Sequence, residues 1–533
     1  MKNKQIFSLN GKTIFPLAGQ PGTNVSFFPG ELDNFFKGAK IMRLNSAEIQ
    51  LYWQQINPEP GKYDFTDFDR ILEQCRANNM RWLLTWFATW KNGTMKYAPQ
   101  WVKKNKAVYK RVLDHRGVEQ NVLSSHCEAN YEADKAAFTA LMQHIKKVDG
   151  DKKTVIGIQV ENEPGIFAPT ARDYGEEATK EYNSQVPSYI IQAIEAAGKG
   201  NEFNTWAANG KKKAGTWEEV FGRDGAEFLT TWSVAKYING IARAGKDIYD
   251  LPMYANNWAA ERFFQYPGID YPCGGPNSKV IDLWLAVCRE IKGIDMICPD
   301  NYSPNYTEFN RQCALYDRED NPLYIPETGG MTRTAWQPFA AIGFHNSIGY
   351  ALMGGVGNAV DASGNLRPEY ECIAASLRGV ADVIPLLISQ YGTGNIHGIV
   401  QEVGQANQYM DLRGYKALVT FGQGARFFRR VEKPVPEDAL GGGLIIQTGD
   451  HEFYIVGYGF SVELHKACPP DQIWPDFAGS VRSQEIDYLL TEEGYFDDNG
   501  AWKTIRIRQG DTNDYGITMQ NLEVRCLHVI MNP

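Results

Sequence analysis

Two glutamates that each follow an apolar run are the residues best placed to do chemistry. Glu163 lies in the run Val160-Glu161-Asn162-Glu163-Pro164, directly after the apolar segment 154–159. Glu327 ends a second apolar run at 322–327. A double-displacement glycosidase needs two such carboxylic groups around the bond that it cleaves, one as acid/base and one as nucleophile. The pair therefore predicts glycoside hydrolysis.

Each glutamate suits one of the two roles. We expect Glu163 to be the general acid/base, with a raised pKa that keeps it protonated near neutral pH. Glu327 is then the nucleophile and must be ionised. Arg43 is the best candidate for a nearby cation, and Tyr302 could donate its hydroxyl to Glu327. Asn162 could bind the 2-hydroxyl of the sugar, a contact that strengthens in the transition state.

Structural alternatives exist for each of these residues. A single glutamate at a strand end is more often a helix cap or a solvated side chain, so only the matched pair favours catalysis. Arg43 could instead be a structural ion-pair partner, for instance of Glu161. Four tryptophans at or just after predicted strand ends could form a sugar platform, although any one of them alone would more often be packing: Trp53, Trp86, Trp90 and Trp258.

The pattern of strands and helices predicts an α/β fold, a (β/α)₈ TIM barrel, over residues 1–387. Helices are expected at 31–37, 68–76 and 132–148 from their apolar spacing. The loop after the first strand, 19–24, lacks the G-x-G-x-x-G pattern of the competing open-sheet nucleotide-binding folds. The eight predicted strands are 13–19, 40–45, 80–87, 154–159, 252–258, 295–300, 323–327 and 348–355.

The chain after residue 387 has a different pattern of apolar, polar and turn residues. Short alternating runs such as 444–447, 452–456, 504–508 and 522–530 are separated by turn signals. They predict a smaller all-β, sandwich-like accessory domain over residues 388–533.

Composition narrows the class of protein. The net charge of −9 disfavours nucleic acid as a partner. The nine cysteines lack close pairs, so buried thiols are expected rather than a zinc site. No run approaches membrane-spanning length, and residues 1–5 are not followed by the apolar part of a signal peptide. We expect a soluble protein with an oligo- or polysaccharide partner and no membrane partner. Its compartment stays open, because the first residues could replace a removed signal peptide, and so does its oligomeric state.

These motifs resemble the glycoside hydrolase clan whose (β/α)₈ barrels carry glutamates on strands four and seven. Within it the chain is most similar to the family 35 β-galactosidases, with family 42 nearby, through segments 53–65 and 158–163 and the Gly354-Gly355 pair. Segment 86–93 resembles a bacterial branch with a β-rich C-terminal domain. The resemblance implies Glu163 as acid/base, Glu327 as nucleophile and no metal or organic cofactor. Pro164 and the residues after Gly355 depart from the family 35 pattern at positions beside the sugar pocket.

Three functions remain open at this stage. The first is a retaining enzyme that removes terminal β-galactosyl groups. The second keeps the mechanism on another β-linked glycan, such as β-glucan or β-mannan. The third is a carbohydrate-binding barrel without activity, which the presence of both glutamates disfavours.

Overall fold

The computed structural model of the chain describes residues 5–22, 28–259, 261–422, 433–466, 488–497, 499–508, 510, 513 and 516–532. Most of these residues belong to a barrel of parallel strands surrounded by helices, and the C-terminal region forms two larger antiparallel sheets. Two further sheets, of two short strands each, lie in the barrel region at 8–13 and 111–123. The predicted fold class is confirmed.

Seven parallel strands form the curved sheet of the barrel, in the order β6-β5-β4-β3-β2-β1-β7. The segment 323–327 closes the barrel between β6 and β7, through isolated bridges from Asp300 to Glu327 and from Ile325 to Tyr350. The strands are β1 Leu17–Gln20, β2 Ser46–Tyr52, β3 Arg81–Lys91, β4 Val155–Asn162, β5 Met253–Trp258, β6 Met296–Asp300 and β7 Tyr350–Met353.

Helices follow most of the strands, as the alternating pattern predicts. The longest, α5 and α10, each have 22 residues and bury one face against the sheet. The helices are α1 Pro29–Ile41, α2 Trp53–Ile56, α3 Thr66–Ala77, α4 Gln100–Lys104, α5 Glu128–Asp149, α6 Glu176–Tyr182, α7 Ser188–Ala197, α8 Asn201–Ala208, α9 Trp217–Phe221, α10 Gly225–Lys246, α11 Ile281–Ile291, α12 Tyr306–Tyr316, α13 Gln337–Gly343, α14 Glu371–Asp382 and α15 Ile384–Ser389.

The second strand lies further along the chain than predicted. Residues 40–45 are the end of α1 and the turn after it, whereas the strand is Ser46–Tyr52. Its alternating polar residues would normally indicate a face in water. Here every residue of the strand is buried, because Glu48 and Gln50 point into the barrel.

A layer of polar side chains fills the inside of the barrel below the site. Gln50 donates from Nε2 to Gln20 Oε1 at 3.1 Å, and Gln20 donates to the carbonyl of Pro326 at 3.1 Å. Glu48 accepts hydrogen bonds from the hydroxyls of Tyr254 and Tyr324. Burial raises the pKa of Glu48 to about 8. These bonds fix the segment that leads to Glu327.

The C-terminal region is a sandwich of two antiparallel sheets over a separate apolar core. The six-stranded sheet has the order β8-β11-β12-β17-β14-β15 and the four-stranded sheet β9-β10-β13-β16. The strands are β8 Ile396–Val400, β9 Asn407–Leu412, β10 Tyr415–Phe421, β11 Gly442–Gly449, β12 Glu452–Tyr458, β13 Phe460–Lys466, β14 Tyr488–Phe496, β15 Trp502–Ile507, β16 Ile517–Met519 and β17 Cys526–Met531.

The six-stranded sheet packs directly on the barrel. Leu444, Val456 and Tyr458 belong to the same continuous apolar core as the barrel residues. A side chain on Gly343 of α13 would come within 2.4 Å of the backbone of Gly398 in β8, so only glycine permits this approach. The predicted domain boundary at residue 388 falls within α15.

Two further properties concern the whole described chain. None of its helices has the length and apolar character needed to cross a bilayer. The eight cysteines within the described ranges are all buried and unbridged, as predicted. The ninth, Cys468, lies outside those ranges.

Candidate active site

Glu163 and Glu327 line one cavity of about 360 Å³ at the carboxyl ends of the barrel strands. This end of the barrel is where enzymes of this fold place their active sites. Glu163 comes directly after β4 with φ of 42°, and Glu161 has φ of 68°. Left-handed backbone is uncommon for residues other than glycine and is concentrated at functional sites. The backbone N–H of Glu163 donates to Asn256 Oδ1 at 2.9 Å, which holds this turn in place.

The carboxyl group of Glu163 is buried and close to a second negative charge. Its pKa is raised to about 7, first by burial and second by the charge of Glu327, while Lys91 opposes the rise. Asn92 donates from its side-chain amide to Glu163 Oε2. A carboxyl group with this pKa is about half protonated at neutral pH and largely protonated at mildly acidic pH, the form that a general acid needs.

Glu327 is held from three directions. The backbone N–H of Asn301 donates to its carbonyl at 2.9 Å. The preceding residue, Pro326, is fixed by Gln20. The hydroxyl of Tyr302 donates to Glu327 Oε2 at 2.7 Å, the contact that the sequence predicted. Of the two carboxylate oxygens of Glu327, Oε2 is the one that accepts this bond.

A third carboxyl group lies between these two. Asp300 ends β6, is 3% exposed and lines the same cavity. Its Oδ2 accepts from Asn256 Nδ2 at 2.8 Å. Burial and the charges of Glu327 and Glu163 hold the pKa of Asp300 well above its usual range.

Among the described residues that line the cavity, the cationic one is Lys91, the last residue of β3. Arg43, the predicted cation, precedes β2 and lies at the opposite, amino-terminal end of the strands. Its Nη1 pairs with Asp382 at 2.7 Å, not with Glu161. The error follows from the misplaced second strand, because residues 40–45 do not reach the carboxyl end of the sheet.

Glu161 instead organises the end of β3. Its buried carboxylate accepts from the backbone N–H groups of Ala88, Thr89 and Trp90 at 3.2, 3.1 and 2.7 Å. Asp134 lies beside it and accepts from Thr89 Oγ1 at 2.7 Å. These hydrogen bonds hold the backbone of residues 88–90 in place, directly before Lys91 and Asn92, which line the cavity.

The other predicted binding residues divide into two groups. Trp258 lines the cavity. Asn162 is fully buried next to Glu163 and does not line the cavity. Its Oδ1 accepts from Asn256 Nδ2 at 3.3 Å, and its Nδ2 has no hydrogen-bond partner within the described ranges. Trp53 and Trp90 are fully buried and do not line the cavity. Trp53 packs against Trp101, and Trp90 packs against Tyr237.

Several lining residues were not singled out by sequence reasoning. One signal could have found some of them, because they immediately follow or end a barrel strand, as Glu163 does. The described residues contain no group of three or more His, Cys, Asp or Glu side chains arranged to hold a metal ion. The lining residues that sequence reasoning missed include Lys91, Asn92, Glu261, Phe264, Asp300 and Gln312.

A comparison with known protein families gives one match within the barrel. Residues 33–220 match the glycoside hydrolase family 42 model, described as beta-galactosidase. The chain carries a glycoside hydrolase domain of clan A. The matching model is that of family 42, and the closer resemblance to family 35 gains no support from it. The clan A segment contains β2, β3 and β4 and therefore Glu163, but ends before Glu327.

Several solved structures are similar to this chain in fold but have low sequence identity to it. They include β-galactosidases from the haloarchaeon Halorubrum lacusprofundi (13% identity, TM-score 0.46) and Rahnella sp. R3 (16%, 0.48). The catalytic domain of a Paenibacillus polymyxa β-amylase is also similar (13%, 0.46). Of this chain, these matches cover 69%, 73% and 68%. The chain spans 58% of the length of each of the two β-galactosidases and 97% of the amylase domain. No curated protein matches the chain.

The C-terminal region matches a different model. Residues 373–520 correspond to a domain of unknown function, DUF5597. The match begins inside α14 rather than at the first strand of the sandwich.

Proposed function

We propose that the protein is a retaining β-galactosidase that acts on terminal β-galactosyl groups. The observation that carries the proposal is the meeting of Glu163 and Glu327 in one cavity, with the two carboxyl groups in different environments. Glu163 has a pKa of about 7, whereas Glu327 accepts the Tyr302 hydroxyl. A pair of carboxyl groups with separated roles is the requirement for glycoside hydrolysis. The family 42 match over residues 33–220, the first part of the barrel, supports galactose as the sugar.

The mechanism has two steps. In the first, the carboxylate of Glu327 attacks the anomeric carbon while Glu163 gives its proton to the glycosidic oxygen, so the leaving group departs as an alcohol. In the second, Glu163 removes a proton from water, which attacks the same carbon and releases Glu327. Loss of the charge of Glu327 during the intermediate lowers the pKa of Glu163, because that charge is one cause of its elevation. The acid of the first step thereby becomes the base of the second.

Neighbouring groups support these roles. Asn92 orients the carboxyl group of Glu163, and Tyr302 orients that of Glu327. Asn162 Nδ2 has no hydrogen-bond partner among the described residues, but Asn162 is fully buried and does not line the cavity, so the scheme assigns it no contact with the sugar. No residue of this scheme requires a metal or an organic cofactor.

The test is hydrolysis of an aryl β-galactoside by the wild type, Glu163→Gln and Glu327→Gln, with aryl β-glucoside and β-mannoside as alternative substrates. We expect β-galactose to appear first by NMR, and a 2-fluoro-galactosyl inhibitor to label the peptide that contains Glu327. Glu177→Gln, an exposed glutamate of α6, is the matched control and should keep full activity. Release of α-galactose first, or a fully active Glu327→Gln, would refute the mechanism. A preference for the glucoside or mannoside would change the sugar alone.

A further inference from the structure

A second cavity, of about 340 Å³, lies among the outer helices of the barrel. It is bordered by the turn 125–127 before α5, by Glu181 of α6 and by one face of α10 between Ser233 and Gly240. The described linings of this cavity and of the active-site cavity have no residue in common. Its volume lies within the range of about 300–1,000 Å³ that is usual for small-molecule sites. We refer to it as the wall cavity.

A histidine and a glutamate form a hydrogen-bonded pair in the lining of the wall cavity. His126 Nδ1 lies 2.6 Å from Glu181 Oε2, and the ring is the donor because an ionised carboxylate only accepts. Burial alone would raise the pKa of Glu181, but the bond from His126 and the charge of Lys236 lower it, so Glu181 is negatively charged at neutral pH. The second ring nitrogen of His126, Nε2, is buried and has no hydrogen-bond partner within the described ranges. Since buried polar atoms are normally paired, this nitrogen favours a site for a polar ligand.

Two serine hydroxyls lie on another side of the wall cavity. Ser233 Oγ donates to the carbonyl of Thr230 at 3.1 Å. It also lies 2.6 Å from Ser125 Oγ, and because the hydrogen of Ser233 is already used, Ser125 is the donor of this second bond. The oxygen of Ser125 can therefore still accept a hydrogen bond from a ligand hydroxyl.

Two tyrosines form a fixed part of the wall cavity. Tyr131 and Tyr237 pack edge to face, with ring centroids 5.3 Å apart. The hydroxyl of Tyr237 lies 2.9 Å from Thr89 Oγ1 and 3.5 Å from Asp134 Oδ2, so the ring is held from behind. A side chain on Gly240 would come within 2.6 Å of the Tyr131 hydroxyl, so glycine leaves this hydroxyl its space. The cavity is thus formed before any ligand binds.

The charges around the wall cavity disfavour both classes of charged small ligand. Glu181 and Glu128 contribute carboxyl groups and Lys236 contributes an ammonium group, and both Glu128 and Lys236 are exposed at the opening. A small anion would lie beside the two carboxylates, and an organic cation would lie beside the lysine, so each would be repelled. A sugar hydroxyl can donate to a carboxylate and accept from an ammonium group. A neutral polyhydroxylated ring therefore suits both signs of charge, and its C–H face suits a tyrosine ring.

We propose that the wall cavity is a second ligand site, separate from the active site, that binds a neutral monosaccharide. Glu181 and Lys236 are its principal polar contacts, and His126 and Ser125 supply further hydrogen-bonding atoms. The inference does not depend on the proposed function, because it concerns binding without turnover at a different set of residues.

The test is hydrogen–deuterium exchange of the full chain with D-galactose, D-glucose or D-mannose as the probe, at up to about 100 mM because single sugars bind weakly. At least one of them should slow exchange saturably in the peptides 125–131, 176–182 and 230–241. Glu181→Gln and Lys236→Met should each weaken this effect by about fivefold to 30-fold in Kd, the loss of one bond to a charged group, with an unchanged circular dichroism spectrum. Glu177→Gln and Lys180→Met, at exposed positions of α6, are the matched controls and should bind as the wild type does.

Binding of the same sugar at the active site is followed separately through the peptides 91–93 and 299–303, whose protection the wall variants should leave unchanged. The proposal is overturned if none of the three sugars protects the wall peptides, or if Glu181→Gln and Lys236→Met bind as tightly as the wild type. It is also overturned if sulfate or choline protects these peptides while the sugars do not, because the site would then take a charged ligand.

Discussion

Ionisation of the buried Glu163 should destabilise the folded protein, and replacing this residue by glutamine should reveal the cost. In the unfolded chain a glutamate ionises near its ordinary pKa of 4.5, whereas in the folded protein the pKa of Glu163 is about 7. The folded state therefore binds this proton more tightly. Its stabilising contribution is complete below about pH 4.5 and is lost as the pH rises to about 7. At about 1.4 kcal/mol for each pKa unit, the loss amounts to about 3 kcal/mol.

The assay is the unfolding of the wild type and Glu163→Gln between about pH 4 and about pH 8. Glutamine cannot ionise, so the variant should gain stability relative to the wild type as the pH rises, by about 3 kcal/mol in total. For a folding unit of this size that difference is about 3 °C in Tm. The difference in stability between the two proteins at low pH measures the effect of replacing the carboxyl group by an amide. Only the change of that difference with pH tests the predicted ionisation of Glu163.

Glu177→Gln is the control for this series. Because Glu177 is exposed on α6, its variant should follow the wild type at every pH. A difference between Glu163→Gln and the wild type that stays constant with pH would show that Glu163 does not titrate in a buried site. A variant that becomes relatively less stable at high pH would reverse the sign and refute the reasoning outright.

Three further substitutions probe the surroundings of the two glutamates. Lys91→Met should raise the pKa of Glu163, since the lysine charge lowers it, and so move the alkaline limb of kcat/KM to higher pH; an unmoved limb would exclude this coupling. Tyr302→Phe removes the 2.7 Å hydrogen bond to Glu327 and should lower kcat/KM by about 10- to 100-fold, the effect of one bond to a charged group, with an unchanged circular dichroism spectrum. Asp300→Asn keeps a neutral acceptor for the neighbouring amide, so it should retain at least about tenfold more activity than Asp300→Ala, which leaves that amide unpaired. Equal losses in the two variants would contradict this role for Asp300.

Most of the barrel could be predicted from the sequence because its strands are runs of buried apolar residues. The strand at β4 and the segment at 323–327 were placed correctly for this reason. The strand β2 was not, because Glu48 and Gln50 give it the pattern of a half-exposed strand. Their polar groups find partners only across the barrel, on Tyr254, Tyr324 and Gln20, which local sequence cannot show.

The same distinction applies to the site. Glu163, Glu327 and Tyr302 could be found because their positions follow from strand ends. Arg43 was misplaced together with its strand. The raised pKa of Asp300 could not be anticipated, because it depends on burial and on the charges of Glu327 and Glu163, which are brought close only by the closed barrel.

The packing of the sandwich on the barrel has a consequence for how such chains can evolve. Asp382 of α14 accepts from Arg43 at 2.7 Å and from Nε of Arg525, the residue before β17, at 3.0 Å, so one carboxylate joins the two regions. The DUF5597 match also starts in α14, within the last helices of the barrel. The unit inherited as a C-terminal domain thus includes a piece of its own docking surface. Such a unit cannot be exchanged for another sandwich by recombination at the start of the β-strands, and barrel and sandwich are expected to change together.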